Sequence, residues 1–154
     1  MNHKLSIAVF LLPLVIFFSL PGPAGAQEKP STRTVIALTD GPSTSPFSPA
    51  LLVGDTLYIS GQLGLNPQGK PEEETTAVQA ERILKTIEAL CKKTGMTLSN
   101  VVETTVFIMD FADFGEFNTI YRKYFPENPP TRATVQVAKL AANAKIEISA
   151  VAVK

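Results

Sequence analysis

The side chains able to do chemistry in this sequence are few, and their types are restrictive. The only histidine, His3, stands at the extreme N-terminus beside an apolar run, and the only cysteine is Cys91. Without a histidine further along the chain, neither a Ser-His-Asp nor a Cys-His nucleophilic centre can form. An ordinary zinc site, which needs several His or Cys ligands, is excluded by the same inventory. No glycine-rich phosphate loop and no dinucleotide fingerprint occurs. What remains is charged and polar groups inside strand-like segments: Arg132 and Gln136 in TRATVQV, and Glu147 in KIEISAVAV. Charge within β-branched strands needs a reason, because burial without a partner is costly. A sheet face carrying Arg132, Gln136 and Glu147 is wet, meets a second subunit, or borders a pocket. An Arg132–Glu147 cross-strand ion pair is a further reading that the pattern leaves open.

These residues must be positioned by a chain of 154 residues with formal net charge +0, room for one domain. Residues 1–26 read as a secretory signal peptide: His3 and Lys4, an apolar run from Leu5 to Leu20, then Ala24-Gly25-Ala26 as a small-residue cleavage site. As a helix that run reaches about 24 Å, short of a roughly 30 Å hydrocarbon core, and Pro13 interrupts it. An uncleaved anchor is the alternative. Cleavage after Ala26 is expected, with a secreted or periplasmic destination and no stable membrane anchor afterwards. One cysteine cannot form an internal disulfide, so export here implies no disulfide scaffold. The leader takes away Lys4 and no acid, leaving 13 basic against 14 acidic side chains. Nucleic-acid binders carry a basic excess or patch; here the basic residues are scattered, and Lys92-Lys93 reads as the polar end of a helix.

Residues 27–44 are expected to be a flexible or partly ordered segment that includes a first short strand, Thr34–Leu38, and residues 45–154 form the domain. Three prolines between Asp40 and Pro49 mark a structured loop. Ala50–Val53 and Thr56–Ser60, around Gly54-Asp55, read as a hairpin. The spacing predicts a helix from Thr76, with Gln79 in capping-box position and Ala80, Ile83, Leu84, Ile87, Leu90 and Cys91 as its apolar stripe. Gly95 is placed to stop it. Cys91 on that stripe reads as a buried core thiol. Val101–Met109 reads as a central strand. A second helix spans about Phe114–Phe125, and its shared face of Phe114, Phe117, Tyr121 and Tyr124 reads as core, not as a binding platform. Thr131–Val137 and Lys145–Val153 alternate as strands. A mixed β-sheet with two helices packed on one face, an α+β domain, is the natural solution.

Three blocks together resemble the RidA/YjgF-like reactive intermediate deaminase family. The first is Ile59-Ser60-Gly61-Gln62-Leu63-Gly64-Leu65-Asn66-Pro67. The second is Thr104-Thr105-Val106-Phe107 with Asp110, Asp113-Phe114 and Asn118-x-x-Tyr121-x-x-Tyr124-Phe125. The third is Pro130-Thr131-Arg132-Ala133-Thr134-Val135-Gln136-Val137-Ala138-Lys139-Leu140, closing with Lys145-Ile146-Glu147-Ile148. They span about residues 45 to 153 in order.

The resemblance implies a chorismate-mutase-like fold, a homotrimer with clefts between subunits, and no metal or organic cofactor. It implies hydrolysis of small 2-enamine/2-imino acids, such as 2-aminoacrylate and 2-iminobutanoate, to 2-oxo acids and ammonia. Arg132 then matches the arginine that grips the substrate carboxylate, through two parallel donors. Glu147 matches the glutamate beside the attacking water. Ser60 and Gly61 match the segment lining the pocket, and Asn118 a helix asparagine near the cleft. With the resemblance, catalysis displaces the ion pair as the reading of Arg132 and Glu147. The sequence departs from the family pattern in several places: Phe47 stands where many members have Tyr, Pro49 replaces a common Gln nearby, and Gly64 replaces a common Pro. Thr134 replaces a small residue or Cys, and Ser149 a second acid. The altered Phe47 loop and the exported location keep a second reading in play, a trimer that binds small carboxylates without turnover. A third, an endoribonuclease or translation inhibitor, sits badly with the near-neutral charge, and no nucleic-acid partner is expected.

Overall fold

In the computed structural model, residues 32–39, 44–66, 68–70 and 75–154 are described; the expected signal peptide, residues 1–26, lies outside them. The chain builds strands β1 (Arg33–Ile36), β2 (Ala50–Val53) and β3 (Thr56–Leu63), then helix α1 (Thr76–Lys93). Strand β4 (Val101–Ile108), helix α2 (Phe114–Tyr124), and strands β5 (Thr131–Gln136) and β6 (Ile146–Val153) follow. The six strands form one sheet in the order β1-β2-β3-β6-β4-β5. Only β4 and β5 run parallel, as a pair joined through a helix must if it is to lie side by side. The α+β arrangement of two helices on one face is as the sequence pattern requires.

Period-two alternation places Leu57, Ile59, Val106, Ile108, Ile146, Ile148, Ala150 and Ala152 on the helix side, all buried. Against them lie Ala80, Ile83, Leu84, Ile87, Leu90 and Cys91 of α1, and Phe117 and Tyr121 of α2. Each large aliphatic side chain so covered contributes about 1.5–3 kcal/mol, so a charge at Ile83 or Ile87 would open the layer. The opposite face carries Tyr58, Thr105, Ser149 and Val151, and nothing among the described residues covers it: Tyr58 is 51% exposed and Val135 45%.

Several elements differ in detail from the sequence reading. The first strand covers Arg33–Ile36 instead of Thr34–Leu38, and β3 runs on through Gly61 to Leu63. Thr75, not Thr76, caps α1, its hydroxyl accepting the Val78 N–H at 3.3 Å. Gln79 makes no capping box. It is fully buried, and its Oε1 accepts the Lys145 N–H at 2.8 Å, tying α1 to the start of β6. Gly64 packs so tightly on the same residue that an added Cβ would lie 2.6 Å from Gln79 Cβ. Gly95 does end α1: at φ 75° it donates to the Lys92 carbonyl at 3.1 Å, and the Met96 N–H reaches the Cys91 carbonyl at 3.0 Å, a Schellman stop. Cys91 is buried as expected, and burial, helped by the charge of Glu88, pushes its thiol up to about 11.

The largest correction concerns β5. The sequence pattern groups Arg132 and Gln136 with Glu147 on one sheet face. The register pairs Arg132 with Thr104 and Thr134 with Val106, so Arg132, Thr134 and Gln136 face the helices, while Ala133 and Val135 face outward and are exposed. Polarity fails as a guide on this edge strand because α2 brings aromatic rings that suit a guanidinium. Arg132 and Gln136 therefore do not share a face with Glu147, which pairs with Phe107 on the uncovered side. An Arg132–Glu147 ion pair within one chain is ruled out, since β4 separates their strands and the sheet separates their side chains.

Candidate active site

One half of the candidate site is built by α2 and β5. The Arg132 guanidinium carbon lies 4.6 Å from the Tyr121 ring centroid, 5.2 Å from Phe117 and 5.6 Å from Phe114. The ring faces attract the cation, and the rings are themselves packed tilted or edge-on at 5.5–6.5 Å. Asn118 Oδ1 accepts from Arg132 Nη2 at 2.8 Å, which fixes the plane of the fork. A guanidinium has five donors, so the others stay available to an anion. Tyr121 is held in turn by a 2.7 Å hydrogen bond to the buried Thr104 hydroxyl. Burial raises the Tyr121 phenol pKa, while the Thr104 bond and the Arg132 charge pull the other way. Arg132 and Asn118 open into a cleft of about 430 Å³ whose walls include Phe125, Pro129 and Pro130, with Arg122 at its edge. The Thr134 hydroxyl, two residues beyond Arg132 on the same face, is buried and has no hydrogen-bond partner among the described residues.

The other half lies on the uncovered face, where β3 meets β6. Ile59 pairs with Ala150 and Gln62 with Ile148, so Ser60 and Gly61 oppose the single residue Ser149, a β-bulge that re-aims both. The Ser60 hydroxyl donates to the Pro49 carbonyl at 2.9 Å and accepts from Gln62 Nε2 at 3.2 Å. Glu147 lies against Gly61, and a Cβ there would overlap Glu147 Oε1 and come within 2.8 Å of Cδ. Only glycine leaves room for this carboxylate, which is half-buried and has no hydrogen-bond or ion-pair partner among the described residues.

The six residues singled out from the sequence therefore fall into three places. Arg132 and Asn118 come together, as do Ser60, Gly61 and Glu147, and the two groups occupy opposite faces of the sheet. Phe47 joins neither: it is 63% exposed and lines a separate cleft of about 390 Å³ with Arg33, Val35 and Pro49. Sequence reasoning missed two features. The aromatic face of α2 is both core and platform, because the same rings that fill the helix layer carry Arg132. Arg122 was missed as well; its signal was the adjacent pair Arg122-Lys123, one turn beyond Asn118.

This geometry defines a class: an α+β domain with an anion-receptive arginine cleft on the helix side of its sheet and an unpaired carboxylate beside a bulge on the other. Comparison with known proteins specifies it. The chain belongs to the RidA/YjgF family, described as Endoribonuclease L-PSP, whose profile matches residues 39–154. It is 42% identical over 124 residues to the human 2-iminobutanoate/2-iminopropanoate deaminase, covering 79% of this chain and 90% of that one. It is 41% identical over 122 residues to Reactive Intermediate Deaminase A, chloroplastic, of Arabidopsis thaliana, covering 78% of this chain and 65% of that protein. Among solved structures it resembles RidA from the Antarctic bacterium Psychrobacter sp. PAMC 21119, with TM-score 0.71 and 34% identity over 79% of this chain and 99% of that one. It also resembles E. coli TdcF with bound serine, with TM-score 0.71 and 31% identity over 79% and 98%. The fold is the chorismate-mutase-like one of these proteins.

Proposed function

We propose that this protein hydrolyses small 2-imino and 2-enamino acids to 2-oxo acids and ammonia, as a homotrimer whose sites lie between subunits. The observation that carries the reading is Arg132, whose fork is braced by three rings and Asn118 with donors left over for a carboxylate, in a chain whose relatives are named as deaminases of 2-imino acids. Because Arg132 and Glu147 face opposite ways, a head-to-tail ring is the assembly that would bring the arginine half of one copy to the glutamate half of the next. The uncovered sheet face supplies surface for such contacts.

In this reading Arg132 holds the substrate carboxylate and fixes the imine carbon. Glu147 of the neighbouring copy takes a proton from water as oxygen attacks that carbon. A C–O bond forms, the C=N electron pair moves to nitrogen, and Glu147 passes the water proton to that nitrogen, giving the neutral carbinolamine. Glu147 then takes the hydroxyl proton as the C=O bond forms and delivers it to nitrogen as the C–N bond breaks and ammonia leaves. The Ser60–Gly61 bulge keeps the carboxylate in place. The reaction as written needs no group beyond these side chains and water. The same reading has the leader removed after Ala26 and the protein exported; the mass of protein recovered from a cell envelope extract checks it, with a chain starting at Gln27 expected.

The deciding experiment generates 2-iminobutanoate in place with a threonine dehydratase while semicarbazide competes for it. Wild-type protein is expected to suppress semicarbazide capture and release 2-oxobutanoate, and Arg132→Ala to do neither. Wild type indistinguishable from buffer removes the deaminase reading for this substrate. The second reading, carboxylate binding without turnover, then leads; it is favoured by Phe47, a bare and exposed ring that offers no hydroxyl to a substrate.

A further inference from the structure

The Arg132 cleft holds more positive charge than a monocarboxylate uses. Two guanidiniums border it, Arg132 and Arg122, and among the described residues no acidic side chain does. Arg122 stands four residues after Asn118 on α2, so the two share a helix face and are offset by about 6 Å along the axis. Asn118 is bonded to Arg132, so Arg122 springs from the helix about one turn beyond the residue that holds the first cation, and both arginines line the cleft. That offset is on the scale of the separation of the two carboxylates in a four- or five-carbon dicarboxylate. Arg122 is exposed and has no hydrogen-bond, ion-pair or ring partner among the described residues. Surface charges on α1 behave otherwise: Lys85 pairs with Glu81 at 2.9 Å and Lys92 with Glu88 at 2.8 Å, each four residues apart. On α2 the residue four before Arg122 is Asn118, which is neutral and already engaged. The rest of the lining is aromatic rings, prolines and Asn118, none of them charged.

We infer that the cleft is built for a dianion, a 2-imino dicarboxylate such as 2-iminosuccinate, with Arg132 on the carboxylate beside the imine and Arg122 on the distal one. The assignment rests on the proposed deaminase reading for the imine, and on the two guanidiniums alone for the dianion. Arg122 acts in specificity; it does not approach the reacting carbon.

The test separates the two. Binding of succinate and of butyrate to the purified protein is measured by calorimetry at fixed ionic strength, since screening would blur the comparison. Turnover of 2-iminosuccinate, made in place by an L-aspartate oxidase, is followed beside that of 2-iminobutanoate, each against semicarbazide. Succinate is expected to bind about tenfold tighter than butyrate, the scale of one hydrogen bond to a charged group. Arg122→Ala brings that ratio close to one, and Arg122→Lys retains part of it. The ratio of KM values for the two imines moves in the same way. A succinate-to-butyrate ratio near one in wild type, or one untouched by Arg122→Ala, overturns the inference whatever the turnover. If neither imine is turned over while the Arg122-dependent preference stands, the deaminase reading fails and the dianion site survives it.

Discussion

Consider two variants, Arg132→Ala and Glu147→Ala, each prepared alone and then co-assembled by unfolding and refolding an equal mixture. Each alone lacks one half of every site. Loss of a positioned general base costs about 10²–10⁴ in rate, and truncating the arginine of a hydrogen-bonded charge pair costs about 2–5 kcal/mol, roughly 30-fold to over 10³-fold, so both single variants should sit near background. In the mixture a site is intact when the copy giving the cleft carries Glu147→Ala and its neighbour carries Arg132→Ala. With random assembly each condition holds half the time, so about a quarter of wild-type activity returns, whatever the ring size. The semicarbazide competition assay resolves a quarter from a hundredth with ease. The magnitude follows directly from the opposite facing of Arg132 on β5 and Glu147 on β6. A mixture no more active than its components, with mixed assemblies demonstrated by mass, would refute the composite site and require both residues to act within one chain.

Gly61→Ala should remove most of kcat, approaching Glu147→Ala, because its Cβ would occupy the space of the Glu147 carboxylate; the cost in denaturant stability should be about 1–3 kcal/mol, and wild-type kcat in that variant would contradict the packing. Thr134→Val deletes a buried, unpartnered hydroxyl and should stabilise by about 1 kcal/mol in urea unfolding; destabilisation by a similar amount means that the assembled protein supplies a partner. The Cys91 thiol, held up to about 11, should resist thiol reagents in the native protein at pH 8 and react at once in guanidinium. The sign of its pH dependence follows: the unfolded thiol loses its proton near pH 9 while the folded one keeps it, so stability falls as pH rises from about 9 to 11, and a flat or rising profile for wild type relative to Cys91→Ala would show that the thiol is not protected.

The layers of the fold were legible because they rest on periodicity. The α1 stripe from Ala80 to Cys91 and the alternation of β6 each have one dry side, and the burial follows the pattern residue by residue. The failures occur where polarity and burial part company. Arg132 and Thr134 face the helices because three rings of α2 accept a guanidinium, something no rule of alternation encodes. Gln79 looked like a cap because its spacing from Thr76 fits one, whereas its amide is spent on a backbone N–H 66 residues away, a contact invisible to local pattern. The site residues could be named from family blocks, but their division between two faces could not, since neither block states which neighbour lies across the sheet. Arg122 belongs to no block and emerges only once the cleft has a shape.

Gln79 has a wider consequence. Through the Lys145 N–H it holds the chain two residues before Glu147, and through its close packing with Gly64 it holds the chain three residues after Gly61. Both strands of the glutamate half are thus clamped, from the far side of the sheet, to one turn of α1. The carboxylate and the glycine beside it are thereby tied to that helix through a fully buried residue that no substrate can reach. Turnover is therefore expected to fall on warming before the bulk of the helix layer melts, which following activity and far-ultraviolet circular dichroism along one melt checks. A survey of random variants scored by turnover would rank Gln79 among the reacting groups, and only a structure reveals it as the fastening behind them.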